Sequence, residues 1–428
     1  MNGLIKLIQK TYKMVDPLEG SRVLRNVTSL SGLQLVTYFF PIIILPYLFR
    51  TIGPERFGLI AFAQAFVQYF MIITDYGFNV SATKEISLCQ ENKARVCNII
   101  SAVMTIKTIL AFLSLLMLCI VIYFFPRFTN DWMVYALSFG VVIGNTFFPA
   151  WFFQGSENMR YTAKINIIGE FAYAFGIFIF IHNPGDYLLV PTITSLSALL
   201  TGLLGQYILF TRFDVSLQLP KLKDLRQQLQ AGWNVFISVV AINAYTTTRV
   251  FAVGLLTNNT LTGFYSVAER IANAVQTFPL SSFTQAIFPR LSKIFQKNQL
   301  KAFEIMRQVQ KITIIVSLIF LPLTFVLAPF IVKLVCGGTY PAAILSLRLL
   351  LISVFFISSN AFRVQFLLVC GKTAAYSRIH ITMACIGLPL IIILIYSFSY
   401  VGAALATTII EAGVFTMTYF TIKKLTFV

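Results

Sequence analysis

Charged side chains are scarce here: only 11% of the 428 residues carry one, while 57% are apolar. A soluble domain ordinarily carries about 25% charged residues. A chain this size cannot hide so much hydrocarbon inside a water-facing fold, so a soluble enzyme and a disordered chain are both excluded. No polar stretch is long enough to form a domain outside a bilayer. Histidine is down to two residues, His182 and His380, so no imidazole metal site is expected and no cofactor motif accompanies them. The six cysteines include no CxxC pair, which removes a disulfide framework. Gly371-Lys372-Thr373 imitates the end of a P-loop, but position 366 is Phe where the first glycine is required.

What is present is a series of apolar runs. A spanning helix needs about 20 mostly apolar residues, and twelve such runs occur, near 26–49, 57–80, 99–125, 132–154, 164–182, 187–210, 231–256, 260–289, 310–334, 342–369, 374–397 and 400–422. The chain reads as an all-α polytopic membrane protein with twelve transmembrane helices. With the N-terminus inside, 24 of the 33 Lys and Arg fall on the cytoplasmic side, five fall on the other and four lie within spans. Retention of basic residues in the cytoplasm sets orientation, so both termini are expected there. The net charge of +18 then reflects membrane topology and contact with membrane lipids, and no nucleic-acid partner is expected.

The chain also repeats itself. Gly58, Ala63, Gln64 and Gln68 align with Gly263, Ala268, Glu269 and Asn273 at an offset of 205 residues. Six spans per half is an even number, so the halves share orientation and are expected as two six-helix lobes related by a pseudo-two-fold axis along the membrane normal. The expected organisation is a basic segment 1–25, an N-terminal lobe 26–210, a cytoplasmic linker 211–230 and a C-terminal lobe 231–428.

At 100° per residue, Gln64, Gln68 and Asp75 share one helical face, as do Asn234, Ser238, Tyr245 and Arg249. Ser31, Gln34 and Tyr38 form a third stripe, and Ser266, Glu269, Asn273 and Gln276 a fourth. Such stripes serve either as interhelical hydrogen-bonding glue or as the lining of a hydrated cavity; their place on repeat-related spans favours a cavity. Ionisable groups within spans are costly and by default functional. They are Asp75, Lys107, Glu170, Arg249, Glu269, Arg270, Arg363 and Glu411. Asp75 and Lys107 lie near span ends, where they can reach headgroups. Arg249, Arg270 and Arg363 leave the second half's cavity positive, which suits an anionic substrate because guanidinium binds phosphate oxygens bidentately. Glu269, Glu411, Glu170 and Asp75 are the candidates for ion coupling or charge balance. Tyr38, Tyr245 and Tyr265 can stack on sugars or simply pack.

Two segments carry a family resemblance. Asp75-Tyr76-Gly77-Phe78-Asn79-Val80-Ser81-Ala82-Thr83-Lys84-Glu85-Ile86-Ser87 and Pro149-Ala150-Trp151-Phe152-Phe153-Gln154-Gly155-Ser156-Glu157 resemble the signatures of bacterial O-antigen flippases. These are polysaccharide-exporting members of the multidrug/oligosaccharidyl-lipid/polysaccharide exporter superfamily. The resemblance implies a multi-pass protein of the bacterial inner membrane that moves undecaprenyl-pyrophosphate-linked O-antigen units to the periplasmic leaflet by alternating access, with coupling to a proton gradient. It also implies a lipid-linked oligosaccharide as substrate, O-antigen polymerase and chain-length machinery as further partners, and the motif residues as gating or packing elements. On the residues alone a multidrug cation antiporter of the same fold stays open, although it would need an acidic cavity. A glycan polymerase or ligase stays open too, although it would need a sizeable outer loop.

Overall fold

The computed structural model describes residues 20–425, with side chains described over 40–424 apart from 42, 278–290 and 292–293. Every apolar run falls on helix. In chain order the helices are α1 (Gly20–Asp75), α2 (Phe78–Leu88), α3 (Lys93–Phe124), α4 (Pro126–Thr129), α5 (Trp132–Ser138), α6 (Gly140–Phe147), α7 (Ala150–Gly155) and α8 (Met159–Phe180). After a 3-10 turn at Pro184–Leu188 follow α9 (Leu189–Arg212), α10 (Leu222–Thr246), α11 (Thr248–Leu256), α12 (Asn259–Lys297), α13 (Gln299–Cys336), α14 (Pro341–Val369) and α15 (Thr373–Leu425).

Two of these are too long to be single crossings. At 1.5 Å per residue, the 56 residues of α1 and the 53 of α15 would each extend about 80 Å, against a hydrocarbon core of about 30 Å. Each is broken by one residue in the left-handed half of backbone space: Gly53 at φ 78° in α1 and Ser399 at φ 55° in α15. Gly53 is followed by Pro54, whose ring suits the first turn of a new helix. Among the described residues, eight helical segments are long and apolar enough to cross a membrane, nine if α10 and α11, bent by 45°, count as one.

Contacts divide the chain into two units, Tyr47–Gly263 and Phe264–Val428 with the chain up to Pro46. In the first, small residues let backbones approach: a methyl on Gly140 would come within 2.6 Å of the Ser195 side chain, and one on Gly144 would overlap Ala198. The Gly140/Gly144 pair thus sets α6 against α9, the close approach that small-xxx-small spacing permits in a bilayer. The core of this unit gathers Phe78, Ala82, Ile86, Ile100, Trp151, Phe153 and Leu209. In the second unit α14 packs on both α13 and α15, with Leu347, Leu351, Ala404 and Ile410 all buried. Ile109, Phe112, Leu116 and Ile120 of α3 and Leu318, Ile319 and Phe330 of α13 stay exposed, an apolar surface that water would not stabilise and lipid does.

Candidate functional site

The two signature segments dock on each other in the first unit. Tyr76 (φ 43°) and Gly77 (φ 78°) turn the chain from α1 into α2. Thr83 Oγ1 donates to the Trp151 carbonyl at 3.1 Å, and Gln90 Nε2 donates to the Gly155 carbonyl at 2.8 Å. A methyl on Gly155 would come within 2.8 Å of the Thr83 carbonyl oxygen, so α2 and α7 touch through backbone. The same knot grips α10. Tyr76 stacks on Phe236 with ring centroids 4.7 Å apart, and Gly77 leaves room for Val235, whose side chain lies 2.9 Å from where a Cβ would sit. Gln227 donates to Glu85 Oε1 at 3.3 Å and Gln228 donates to Oε2. Trp151, 1% exposed, fills the centre.

Beside the knot lies an ion pair of a buried lysine and a half-buried carboxylate. Lys107, whose side chain is 1% exposed, places Nζ 3.1 Å from Asp75 Oδ1 and donates to the Asn145 carbonyl at 3.3 Å. Asn79 Nδ2 donates to the other carboxylate oxygen at 2.9 Å. Lys107 therefore does not reach the headgroups; its charge is neutralised inside the protein. Farther along α1, Gln64 and Gln68 are half-buried, and Tyr69 Oη shares a 2.7 Å hydrogen bond with Thr248 Oγ1.

On α10, Asn234 is exposed and its carbonyl accepts from Ser238 Oγ at 3.0 Å, while Tyr245 is buried. Arg249 is half-buried, and its Nε donates at 3.0 Å to the Thr246 carbonyl at the α10/α11 bend. Glu170 is half-buried on α8. In the second unit, Glu269 and Gln276 are half-buried and Arg270 and Asn273 are exposed. Glu411 is half-buried on α15. Gln34 and Tyr38 lie outside the described side chains.

Arg363 on α14 has the most unusual surroundings. Its guanidinium carbon sits 4.6 Å from the Phe415 ring centroid and 5.0 Å from that of Tyr419, both on α15. Its buried Nη1 has no hydrogen-bond partner among the described residues. One helical turn earlier, Asn360 and Ser359 are buried. Asn360 Nδ2 donates to Thr418 Oγ1 at 3.4 Å and Gln310 Nε2 to the Ser359 carbonyl at 3.2 Å. The arrangement offers a permanent cation, two rings and a small set of hydrogen-bonding groups. Among the described residues no group of three His, Cys, Asp or Glu could hold a metal.

Two of these features leave little trace in the sequence. Arg127 counts as a loop cation by sequence, yet Nη2 donates to the Gly254 carbonyl at 2.9 Å and to Asn259 Oδ1 at 2.6 Å, while the guanidinium lies over Phe62. No local pattern signals that, because its partners lie about 130 residues away. The Ser359–Asn360 step is visible only as a polar interruption of span ten, four and three residues before Arg363.

Comparison with known proteins adds to this geometry. Residues 23–295 match the family described as polysaccharide biosynthesis protein. A protein of Escherichia coli (strain K12), provisionally named an O-antigen transporter, is 30% identical over 382 residues, covering 89% of this chain and 92% of its own length. A Shigella dysenteriae protein of the same provisional name is 25% identical, over 90% of this chain and 96% of its own. Among solved structures, the lipid II flippase MurJ in an inward closed conformation matches with TM-score 0.72 at 14% identity, covering 92% of this chain and 87% of its own. An inward-facing multidrug transporter of the MATE family matches with TM-score 0.71 at 15% identity, covering 92% and 95%. At such identities the likeness is one of fold.

Proposed function

The chain belongs to the polysaccharide biosynthesis protein family, as an O-antigen flippase of the multidrug/oligosaccharidyl-lipid/polysaccharide exporter superfamily, and from that premise we propose how it works. It is a multi-pass membrane transporter of lipid-linked oligosaccharide. In our reading the cargo is an O-antigen unit on undecaprenyl pyrophosphate, carried from the cytoplasmic to the periplasmic leaflet of the inner membrane by alternating access. In this reading the chain crosses twelve times, six in each of the lobes 26–210 and 231–428; an even number puts both termini on one side, and the bias of basic residues makes that side the cytoplasm. The lipid tail stays in the bilayer while the pyrophosphate and sugars pass through a hydrated path.

The observation that carries this reading is Arg363. A guanidinium at membrane depth is costly unless something anionic compensates it. Here its neighbours are two rings, and Nη1 is unspent. A diphosphate supplies the missing acceptor oxygens in the geometry that guanidinium prefers, and the rings supply a platform on which sugar faces stack. Arg249 and Arg270 are further contacts to the anionic cargo, alongside the polar side chains Gln34, Tyr38, Gln64, Gln68, Asn234, Ser238, Tyr245, Asn273 and Gln276. Glu269, Glu411, Glu170 and Asp75 are the carboxylates available for proton coupling. Delivery to a polymerase with its chain-length partner follows if the product appears in the periplasmic leaflet.

The test is a deletion strain analysed for lipid-linked oligosaccharide. The expected result is accumulation of the undecaprenyl-linked unit on the cytoplasmic leaflet and loss of surface O-antigen, both reversed by the intact chain. Normal surface O-antigen in the deletion strain would overturn the proposal.

A further inference from the structure

The internal repeat can be followed into space at one point. Adding 205 to Gly53, Pro54 and Gly58 gives Asn258, Asn259 and Gly263. Gly53 and Asn258 both interrupt helix, Pro54 and Asn259 both begin the next helical run, and the two glycines stand one turn farther on. A methyl group on Gly58 would overlap the Asn259 carbonyl oxygen and come within 2.6 Å of the Gly263 nitrogen. A methyl on Gly263 would overlap the Pro54 carbonyl oxygen and come within 3.3 Å of the Gly58 nitrogen. Each glycine therefore faces the carbonyl that lies four residues before the other. Such reciprocity is what a local two-fold relation between the two glycines produces.

At the crossing the nearest neighbours of each glycine are backbone atoms of the other segment. Packed side chains have to change rotamer to separate, whereas two smooth glycine faces part by translation alone. A latch crosses the same spot. Arg127, from the first half of the sequence, holds the Gly254 carbonyl at the end of α11 and the Asn259 side chain at the start of α12. Thr262 beneath it is 0% exposed, with Oγ1 donating to the Asn258 carbonyl at 2.8 Å. By the count of basic residues this end lies on the outer side.

We propose that the Gly58–Gly263 crossing is the outer seal of the transport path, closed in this structure and latched by Arg127, and that it parts in each cycle. The inference rests on the flippase reading for what passes through it. A methyl group at either glycine meets backbone that cannot rotate away, so Gly58→Ala and Gly263→Ala hold the seal ajar. Because Ala favours helix over Gly, the helices themselves survive the change.

The experiment places Thr262→Cys in an otherwise cysteine-free chain and follows modification of the introduced thiol by a membrane-impermeant maleimide in intact cells, together with surface O-antigen and protein level. Adding Gly58→Ala, Gly263→Ala or Arg127→Ala should each speed modification by about tenfold, a population shift of about 1.4 kcal/mol. The two glycine variants should also lose surface O-antigen at matched protein level. Gly185→Ala is the control, since a methyl there has nothing within 4 Å, and it should change neither readout. Normal transport and unchanged labelling in the glycine variants would overturn the seal. A fall in protein level with labelling of the introduced thiol unchanged in every variant would equally overturn it, by reducing the crossing to static packing. If the deletion strain shows no O-antigen defect, the labelling still reports on the seal while the cargo assignment falls.

Discussion

Arg363 and Lys107 solve the same problem in opposite ways. Lys107 is neutralised by Asp75 within the protein, whereas among the described residues Arg363 lies against two rings and has a buried Nη1 without a hydrogen-bond partner, which keeps capacity for an anion. Arg363→Ala should therefore cost one charge-assisted phosphate contact, about 1.5–3 kcal/mol, or roughly 10- to 150-fold in cargo binding at 1.4 kcal/mol per decade. Arg363→Lys keeps the charge without the fork and should retain intermediate O-antigen display, measured in the deletion strain at matched protein level. Full display by the Ala variant would return Arg363 to a structural role. For the Lys107–Asp75 pair the expectation is different. Asp75→Asn strands the Lys107 ammonium, a loss of about 3–5 kcal/mol, and should lower the melting temperature and membrane abundance. Asp75→Leu combined with Lys107→Met removes both charges and should recover most of that stability. If Asp75→Asn is as stable as the parent, the pair does not hold the fold together.

The helices were legible in the sequence because membrane burial writes long apolar runs, and because Gly53-Pro54 carries turn chemistry that marks a break; the break at Tyr76-Gly77 falls inside the apolar run 57–80 and was not legible. Ser399 was not legible as a break of this kind, since serine has no special access to φ 55°, although the change of span was placed beside it. The motif knot is a further case: the segments were recognised, but their docking was not, because the 68 positions separating Thr83 from Trp151 carry no periodic signal of a tertiary contact. Gly53 and Gly77 separate the two demands on a glycine. Both sit at φ 78°, yet a Cβ meets nothing at Gly53 and meets Val235 at 2.9 Å at Gly77. At Gly53 ψ is 166°, a region of backbone space essentially confined to glycine, so Gly53→Asn should lose about 1–3 kcal/mol through backbone strain alone. Gly77→Asn should lose about 1–3 kcal/mol through overpacking, with Tyr76 displaced from Phe236. Thermal denaturation in detergent measures both, and a Gly77→Asn chain as stable as the parent would show that the α10 contact is not tight.

For the chain as a whole, topology is the property most open to test. A cysteine replacing Asn258 should react with impermeant maleimide in intact cells, and reaction only after permeabilisation would invert the orientation. Among native thiols between helices, burial raises Cys89 and pushes Cys370 up to about 11, so both stay largely protonated and slow at neutral pH. The knot around Trp151 has a consequence of another kind. It fastens α10 to α2 through Tyr76–Phe236 and Glu85–Gln228, whereas the stretch before α10 is non-helical and carries Leu219 at 98% exposure. Covalent continuity between Phe213 and Lys221 is then dispensable. Two polypeptides, residues 1–216 and 217–428, made from separate reading frames in the same cell, should find each other through that joint and restore O-antigen, and Gly77→Asn in the first fragment should prevent the reunion.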